Sequence, residues 1–317
     1  MSATISICIP CHKSERYIRT TIESALAQTV PADEILISDD RSPDKSFEIV
    51  KEYADVPRVR IMRPPQRTTL GGHYRFVLEQ ATSDFICFLS SDDALIPGFV
   101  ERMQREIGND QDIGMVAGAC LECDSNLTPM RLRGGRLPKG VFLPPEGFHH
   151  FKRGNGYTIS VSALSRRILL GSPLLPPQAD LATDWYWAMI LGTRGKLKFV
   201  RDPLGYYRIH ASNAAYNNED AWFAAAAEML VFLRDQLEPH LGGELDALVQ
   251  RNLVYREERR LGRAVSSKAP NLSTRIKNLA KGLIALRYRA LSKPIPQAER
   301  GISVTLEQAR RHPRSSA

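Results

Sequence analysis

The chain has 317 residues, 43% of them hydrophobic and 25% charged, with five cysteines and a formal net charge of +8. These proportions suit a globular protein of one large domain or two small ones, and no run reaches the ~18 apolar residues of a membrane span. An odd number of cysteines in so long a chain argues against a disulfide framework and for a reducing compartment.

The N-terminus lacks a basic region followed by an apolar stretch and a cleavage site, so no signal peptide is expected and the protein is placed in the cytoplasm. Ile5, Ile7 and Ile9 alternate with Ser6 and Cys8, the period of a strand, and Pro10-Cys11-His12-Lys13 breaks it. Ser14 is placed to cap a helix whose apolar face is Tyr17, Ile18, Thr21, Ile22, Ala25 and Leu26. Glu34 to Ile37 reads as a second strand, ending at Ser38-Asp39-Asp40-Arg41-Ser42. Ser42 before Pro43 reads as the start of a helix carrying Phe47, Val50 and Tyr53. Arg58 to Met62 is a third strand, and a loop with Pro64, Pro65, Gly71 and Gly72 leads to a short helix through Phe76, Val77 and Ala81. Phe85 to Leu89 is a continuous apolar run, suited to a strand buried on both faces. A helix from about Pro97 to Ile107 and a strand from Ile113 to Ala119 follow. The order β-α-β-α-β-α-β-α-β implies an α/β fold with a parallel, doubly wound sheet.

Residues 121–156 carry Pro, Gly and basic residues with little periodicity and read as a flexible excursion. Tyr157 to Leu164 then suits a strand and Ser165 to Leu170 a short helix. Asp184 heads an apolar helix ending near Gly192, and Lys196–Val200 and Leu204–Ile209 suit two further strands.

The Phe85 strand stops at Ser90-Ser91-Asp92-Asp93. Adjacent carboxylates repel each other and are costly in low dielectric. A divalent cation would hold them, because Asp oxygens are hard ligands that Mg²⁺ and Mn²⁺ share with substrate phosphates. Ligands in open α/β sheets also bind at the carboxyl ends of strands. A capped turn is the alternative. Cys8-x-x-Cys11 and Cys120-x-x-Cys123 raise a zinc or redox reading, against which Cys8 belongs to a strand.

Ile7-Cys8-Ile9-Pro10-Cys11-His12-Lys13, Ile37-Ser38-Asp39-Asp40-Arg41-Ser42 and Phe88-Leu89-Ser90-Ser91-Asp92-Asp93-Ala94 resemble the three N-terminal signatures of the family 2 glycosyltransferases. A fourth match lies near 184–213. These are inverting enzymes of the GT-A fold (Rossmann-like, with a doubly wound, mostly parallel sheet) that use nucleotide-sugars. The resemblance implies that Pro10 and His12 lie against the nucleotide base, and that Asp39 and Asp40 meet base and ribose, with Asp40 preferred for the base. Arg75 falls near a family arginine on the nucleotide side, a solvated helix arginine being the alternative. Gly71-Gly72 sits where the family brings backbone close to the nucleotide. Ser90 replaces the first Asp of the family's Asp-x-Asp-Asp pattern, which leaves Asp92 for the ribose and Asp93 for the metal. Asp184 takes the place of the catalytic base, with Thr183 where Glu is common. Trp185 and Trp187 offer apolar faces to a sugar ring or pack in the core. Tyr207-Arg208-Ile209-His210 resembles the closing segment, implying a phosphate fork at Arg208 and a diphosphate or metal contact at His210.

The implied enzyme is a metal-dependent inverting glycosyltransferase using Mn²⁺ or Mg²⁺. It moves a sugar from a nucleotide-sugar donor to a saccharide or lipid-linked acceptor in cell-surface polysaccharide or glycolipid synthesis. A sugar-nucleotide nucleotidyltransferase is the enzymatic rival, although Pro10-Cys11-His12-Lys13 is not its Gly-rich phosphate loop. The expected organisation is a catalytic domain over 1–215, with the nucleotide-sugar half at 1–120 and the acceptor half at 121–215. A helical, basic region over 216–317 follows.

That region concentrates the charge: from Arg251 onward 16 Lys+Arg stand against 4 Asp+Glu, whereas residues 1–250 carry 27 against 31. Trp222–Leu233 and Leu245–Leu261 read as helices, and Pro270 ends that section. Leu272, Ile276, Leu279, Leu283 and Leu286 then draw one apolar stripe, flanked by Arg275, Lys277, Lys281, Arg287 and Arg289. Basic amphipathic helices lie on anionic membranes, so residues 271–293 are expected either to dock peripherally on the cytoplasmic leaflet or to pack on the catalytic domain. Nucleic acid is a weaker third partner, since no recognition module accompanies the basic run.

Overall fold

A computed structural model describes residues 2–135, 137–152, 155–210, 219–237, 241–245 and 248. Of the helix expected at Leu245–Leu261 all but Leu245 and Leu248 lies outside these residues, as does the whole stripe at 271–293. In chain order the strands are β1 (Ile5–Cys11), β2 (Glu34–Asp39), β3 (Val59–Met62), β4 (Phe85–Phe88), β5 (Ala94–Leu95), β6 (Ile113–Cys123), β7 (Pro129–Arg133), β8 (Val141–Phe142), β9 (Ser162–Ser165) and β10 (Lys196–Arg208). The helices are α1 (Ile18–Leu26), α2 (Ser46–Lys51), α3 (Leu70–Gln80), α4 (Phe99–Ile107), α5 (Glu146–Phe151), α6 (Arg166–Leu170), α7 (Thr183–Arg194) and α8 (Glu219–Arg234).

One mixed sheet runs β3-β2-β1-β4-β9-β6-β10-β5. The first four strands pair in parallel, as the alternating order requires. The expected sheet was parallel throughout, but β9 lies between β4 and β6 and is antiparallel to both. The reason is the route of the chain. It comes back through a 3-10 turn (Ile159–Val161) whose Ser160 sits beside Ser90 at the carboxyl end of β4, so β9 enters the sheet there and runs back down it. Residues 121–156 also hold more structure than the sequence suggests. β6 continues to Cys123 and folds back as a hairpin onto β7, and α5 packs against α7. The two strands expected at 196–209 are one strand, β10, with irregularities near Val200, Pro203 and Tyr206.

The period-2 alternation marks the two faces of the sheet. Ile5, Ile7 and Ile9 join a cluster under α1, α2 and α4, whereas Cys8 joins the cluster under α3, α5, α6 and α7. Phe85 and Cys87 against Ile86 and Phe88 repeat that division in β4. Each buried Leu, Ile or Phe contributes about 1.5–3 kcal/mol. Ala226, Met229, Leu230 and Leu233 of α8 enter the same cluster as α7, so the first helix of the expected C-terminal region belongs to this core. No described helix is long and apolar enough to cross a membrane.

All five cysteines are free and buried. β4 and β9 separate Cys8 on β1 from Cys120 on β6, so the two Cys-x-x-Cys pairs do not converge. Burial pushes the Cys11 and Cys120 thiols up to about 12, which keeps them from being thiolates. The zinc and redox readings lose their geometric basis.

Candidate active site

The parallel register brings Cys11 of β1 beside Asp39 of β2, so the segments after β1, β2 and β4 emerge together at one edge of the sheet. A cleft of about 950 Å³ opens there. Pro10, His12, Lys13, Tyr17, Tyr74, Ser90, Asp92 and His210 line it, as do Arg133, Asn155, Tyr157, Ser160, Asp184, Tyr207, Trp222 and Phe223. Pro10, His12, Asp92, Asp184 and His210 are thus brought together, although His210 lies 118 positions from Asp92.

His12 Nδ1 lies 3.1 Å from the carbonyl oxygen of Asp40. A carbonyl only accepts, so Nδ1 carries a proton, which in the neutral tautomer leaves Nε2 as the acceptor. That Nε2 is buried with no partner among the described residues. Asp40 itself is buried and accepts the Thr68 backbone N–H at 2.9 Å. Asp39 is fully buried, pairs with Arg63 at 2.9 Å and accepts the Ser42 backbone N–H at 3.1 Å. Neither aspartate lines the cleft, and both shape the loop that carries His12.

The aspartates after β4 have opposite surroundings. Asp93 is 1% exposed. Its Oδ2 accepts from Ser160 Oγ at 2.6 Å and its Oδ1 from the Arg208 backbone N–H at 2.9 Å. Burial, and then the charge of Asp92, push its carboxyl up to about 8. Asp93 is therefore no open metal ligand, contrary to the expectation from sequence. Asp92 faces the cleft instead, its Oδ2 2.9 Å from His210 Nε2, with side-chain exposures of 24% and 11%. The phosphate fork expected at Arg208 is likewise corrected. Arg208 is 2% exposed, its Nη1 donates to the Asp92 carbonyl at 2.7 Å, and its guanidinium lies 4.4 Å from the Tyr17 ring centroid. It braces the loop from beneath, and burial lowers its pKa.

Arg75 does not reach this cleft. It pairs with Glu79 at 2.7 Å, donates to the Leu169 carbonyl at 3.3 Å and lines a separate cavity of about 360 Å³ behind α3. Gly71 and Gly72 lie in the first turn of α3, with Gly71 so close to Asp180 and Thr183 that a Cβ would collide with both. That close approach is to protein, where the sequence suggested a nucleotide. Trp185 and Trp187 are both in the core: Trp185 stacks on Trp222 at 5.7 Å and Trp187 packs on Phe88 at 5.0 Å.

Asp184 is the second residue of α7, not its N-cap, where the positive end of the helix dipole favours a carboxylate. Its Oδ1 accepts the Trp185 backbone N–H at 2.7 Å and its Oδ2 accepts from Asn155 Nδ2 at 2.5 Å. Burial raises its pKa, opposed by those two hydrogen bonds and by Arg133. A carboxylate whose pKa is raised is a stronger base, suited to taking a proton. Sequence reasoning missed Asn155, Tyr157, Ser160 and Trp222. Ser160 stood inside an apolar run read as a strand, and Trp222 lay in a helix assigned to another region.

The Glycosyl transferase family 2 profile matches residues 6–169. This chain is a family 2 glycosyltransferase. EpsH of Bacillus subtilis, named as a glycosyltransferase, is 34% identical over 217 residues, which cover 66% of this chain and 62% of that protein. A chondroitin synthase of Pasteurella multocida is 35% identical over 222 residues, covering 68% of this chain but 22% of that protein. The transferase thus spans about three-fifths of the first relative's length and about a fifth of the second's. Among solved structures, S. aureus TarS in complex with UDP-GlcNAc has a TM-score of 0.61 at 17% identity, covering 97% of this chain and 87% of that one. The likeness gives this glycosyltransferase the GT-A fold, and family membership sets aside the nucleotidyltransferase reading.

Proposed function

We propose that this glycosyltransferase transfers a sugar, with inversion, from a nucleoside-diphosphate donor to a hydroxyl of a saccharide or lipid-linked acceptor in surface-polysaccharide synthesis. One observation carries the reading: the Asp92–His210 pair and the partly buried Asp184 line the same cleft. The name of EpsH supports glycosyl transfer, that of the chondroitin synthase a polysaccharide product, and the UDP-GlcNAc complex of TarS a UDP-sugar donor.

Among the described residues no group of three His, Cys, Asp or Glu can hold a metal. Asp92 and His210 offer one hard oxygen and one imidazole nitrogen side by side. That set fits a cation which takes one or two protein ligands and completes its shell with water and phosphate. Mn²⁺ or Mg²⁺ held there would supply positive charge to the departing diphosphate. The chain's own groups do the rest. His12 Nε2 accepts from an N–H of the base or a ribose hydroxyl. Asp184 takes the proton of the acceptor hydroxyl as that oxygen attacks the anomeric carbon from the face opposite the diphosphate, which inverts the centre in one displacement. The apolar stripe at 271–293, with the basic residues beside it, would hold the enzyme at an anionic cytoplasmic leaflet where a lipid-linked acceptor resides.

The test is a thermal-shift screen of UDP, GDP and dTDP sugars with and without Mn²⁺, because donor binding raises the melting temperature by mass action. Stabilisation by the UDP series, larger with Mn²⁺, is the expected result. Indifference to every nucleotide-sugar would overturn the proposal.

A further inference from the structure

Asn155 stands out among cleft residues because its amide is half used. Its Nδ2 donates to Asp184 Oδ2 at 2.5 Å, and a carboxylate oxygen accepts, which fixes which end of the amide is nitrogen. Its Oδ1 is then the other end, buried and without a partner among the described residues. Buried polar atoms are nearly always paired, so an orphan atom on a residue that lines the cleft marks a place for a ligand donor. Neighbouring Tyr157 holds the same helix start from the other side, donating its hydroxyl to the Asp184 main-chain carbonyl at 2.8 Å.

We infer that Asn155 positions the base Asp184 through its Nδ2 and reads the acceptor through its Oδ1, which receives a second hydroxyl next to the one that Asp184 activates. The inference rests on the function proposed above and adds a substrate class to it, an acceptor sugar with a free hydroxyl beside the nucleophilic one. With Oδ1 of Asp184 committed to the Trp185 N–H and Oδ2 steadied by Asn155, the carboxylate cannot rotate freely. Its remaining lone pairs are the ones offered to the acceptor. The other titratable groups around Asp184 are Arg133 from β7, which favours its charged form, and the Tyr74 and Tyr157 hydroxyls, whose own ionisation its charge opposes. The described cleft residues of α8 are the uncharged Trp222 and Phe223.

The experiment compares the full-length protein with Asn155→Ala and Asn155→Asp. Asp184 is followed by its side-chain carboxyl ¹³C resonance, assigned with Asp184→Asn. Release of UDP from UDP-GlcNAc is measured across pH, first with water and then with a panel of methyl glycosides and their single-deoxy analogues. Losing a hydrogen bond to a charged group should raise the Asp184 pKa by about 1–2 units in Asn155→Ala, and further in Asn155→Asp, where a second carboxylate is added. Because the base works deprotonated, the acid limb of the rate profile should move up by the same amount while UDP binding stays unchanged. The glycoside that stimulates wild-type release should lose its advantage when the neighbouring hydroxyl is removed, and Asn155→Ala should no longer distinguish the pair. An unmoved Asp184 pKa and rate profile in both variants, with UDP binding intact, would overturn the positioning role. Equal discrimination of the deoxy pair by wild type and Asn155→Ala would overturn the acceptor contact. Failure of the wild type to bind UDP or release it would instead count against the donor reading above.

Discussion

Asp92 and Asp93 are adjacent in sequence yet suited to different tasks, and two substitutions separate them. Asp92→Asn should abolish the Mn²⁺ enhancement of nucleotide binding, measured by calorimetry, because it removes the cleft-facing carboxylate. Asp93→Asn should keep the fold, since an amide can donate to Ser160 Oγ and accept the Arg208 N–H where the carboxylate now sits. The pH dependence has a definite sign. The Asp93 carboxyl is pushed up to about 8 in the folded protein, against ~3.9 unfolded, so folding takes up a proton between those values and stability falls as pH rises through that window. In chelator, Asp93→Asn should therefore melt higher relative to wild type at pH 8 than at pH 5; an identical difference at both would contradict the burial argument. Asp184→Asn should leave UDP binding intact and slow turnover by ~10²–10⁴, the cost of losing a general base. A collapse of UDP affinity in that variant would make Asp184 a donor-side or structural residue. Ser90-Ser91-Asp92-Asp93 alone marked the carboxylate pair as a candidate site, with a capped turn as the alternative. Which aspartate faces outward was not, because that depends on Ser160 and Arg208, 67 and 115 positions away.

At the scale of elements, alternation located most of the strands that carry the cleft, because a strand buried on both faces still divides its side chains between two clusters. Helix starts were less legible. Ser14 and Ser42 look like caps, but the Ser14 hydroxyl bonds Ser91 at 2.6 Å and the Ser42 hydroxyl accepts the Lys13 N–H at 3.1 Å, so α1 and α2 begin four residues later. Local sequence also cannot announce β9, whose direction is set by where a long excursion re-enters the sheet. Close helix contact makes its own prediction. A Cβ on Gly192 of α7 would stand 2.6 Å from the Phe148 backbone nitrogen of α5. Gly192→Ala should cost about 1–3 kcal/mol by overpacking, read as a lower denaturant midpoint with an unchanged slope. An unchanged midpoint would show that α5 can move away freely.

For the whole molecule, charge is divided between a body with 27 Lys+Arg against 31 Asp+Glu and a tail with 16 against 4, and the proposal that this tail meets an anionic membrane has its own test. Cutting the chain after Pro270 should abolish sedimentation with anionic liposomes while sparing UDP release, and high salt should weaken the full-length protein's binding by screening. Equal liposome binding by both forms would remove the membrane role. The central claim, that a donor diphosphate and its cation meet Asp92 and His210 in the cleft that Asp184 borders, is tested most directly by the crystal structure of the full-length enzyme with UDP and Mn²⁺, the metal located by anomalous scattering. The account predicts a single Mn²⁺ on Asp92 and His210 with the diphosphate beside it, the base against His12, and Asp184 free of metal. Mn²⁺ bound through Asp93, or UDP lodged in the cavity behind α3, would contradict it.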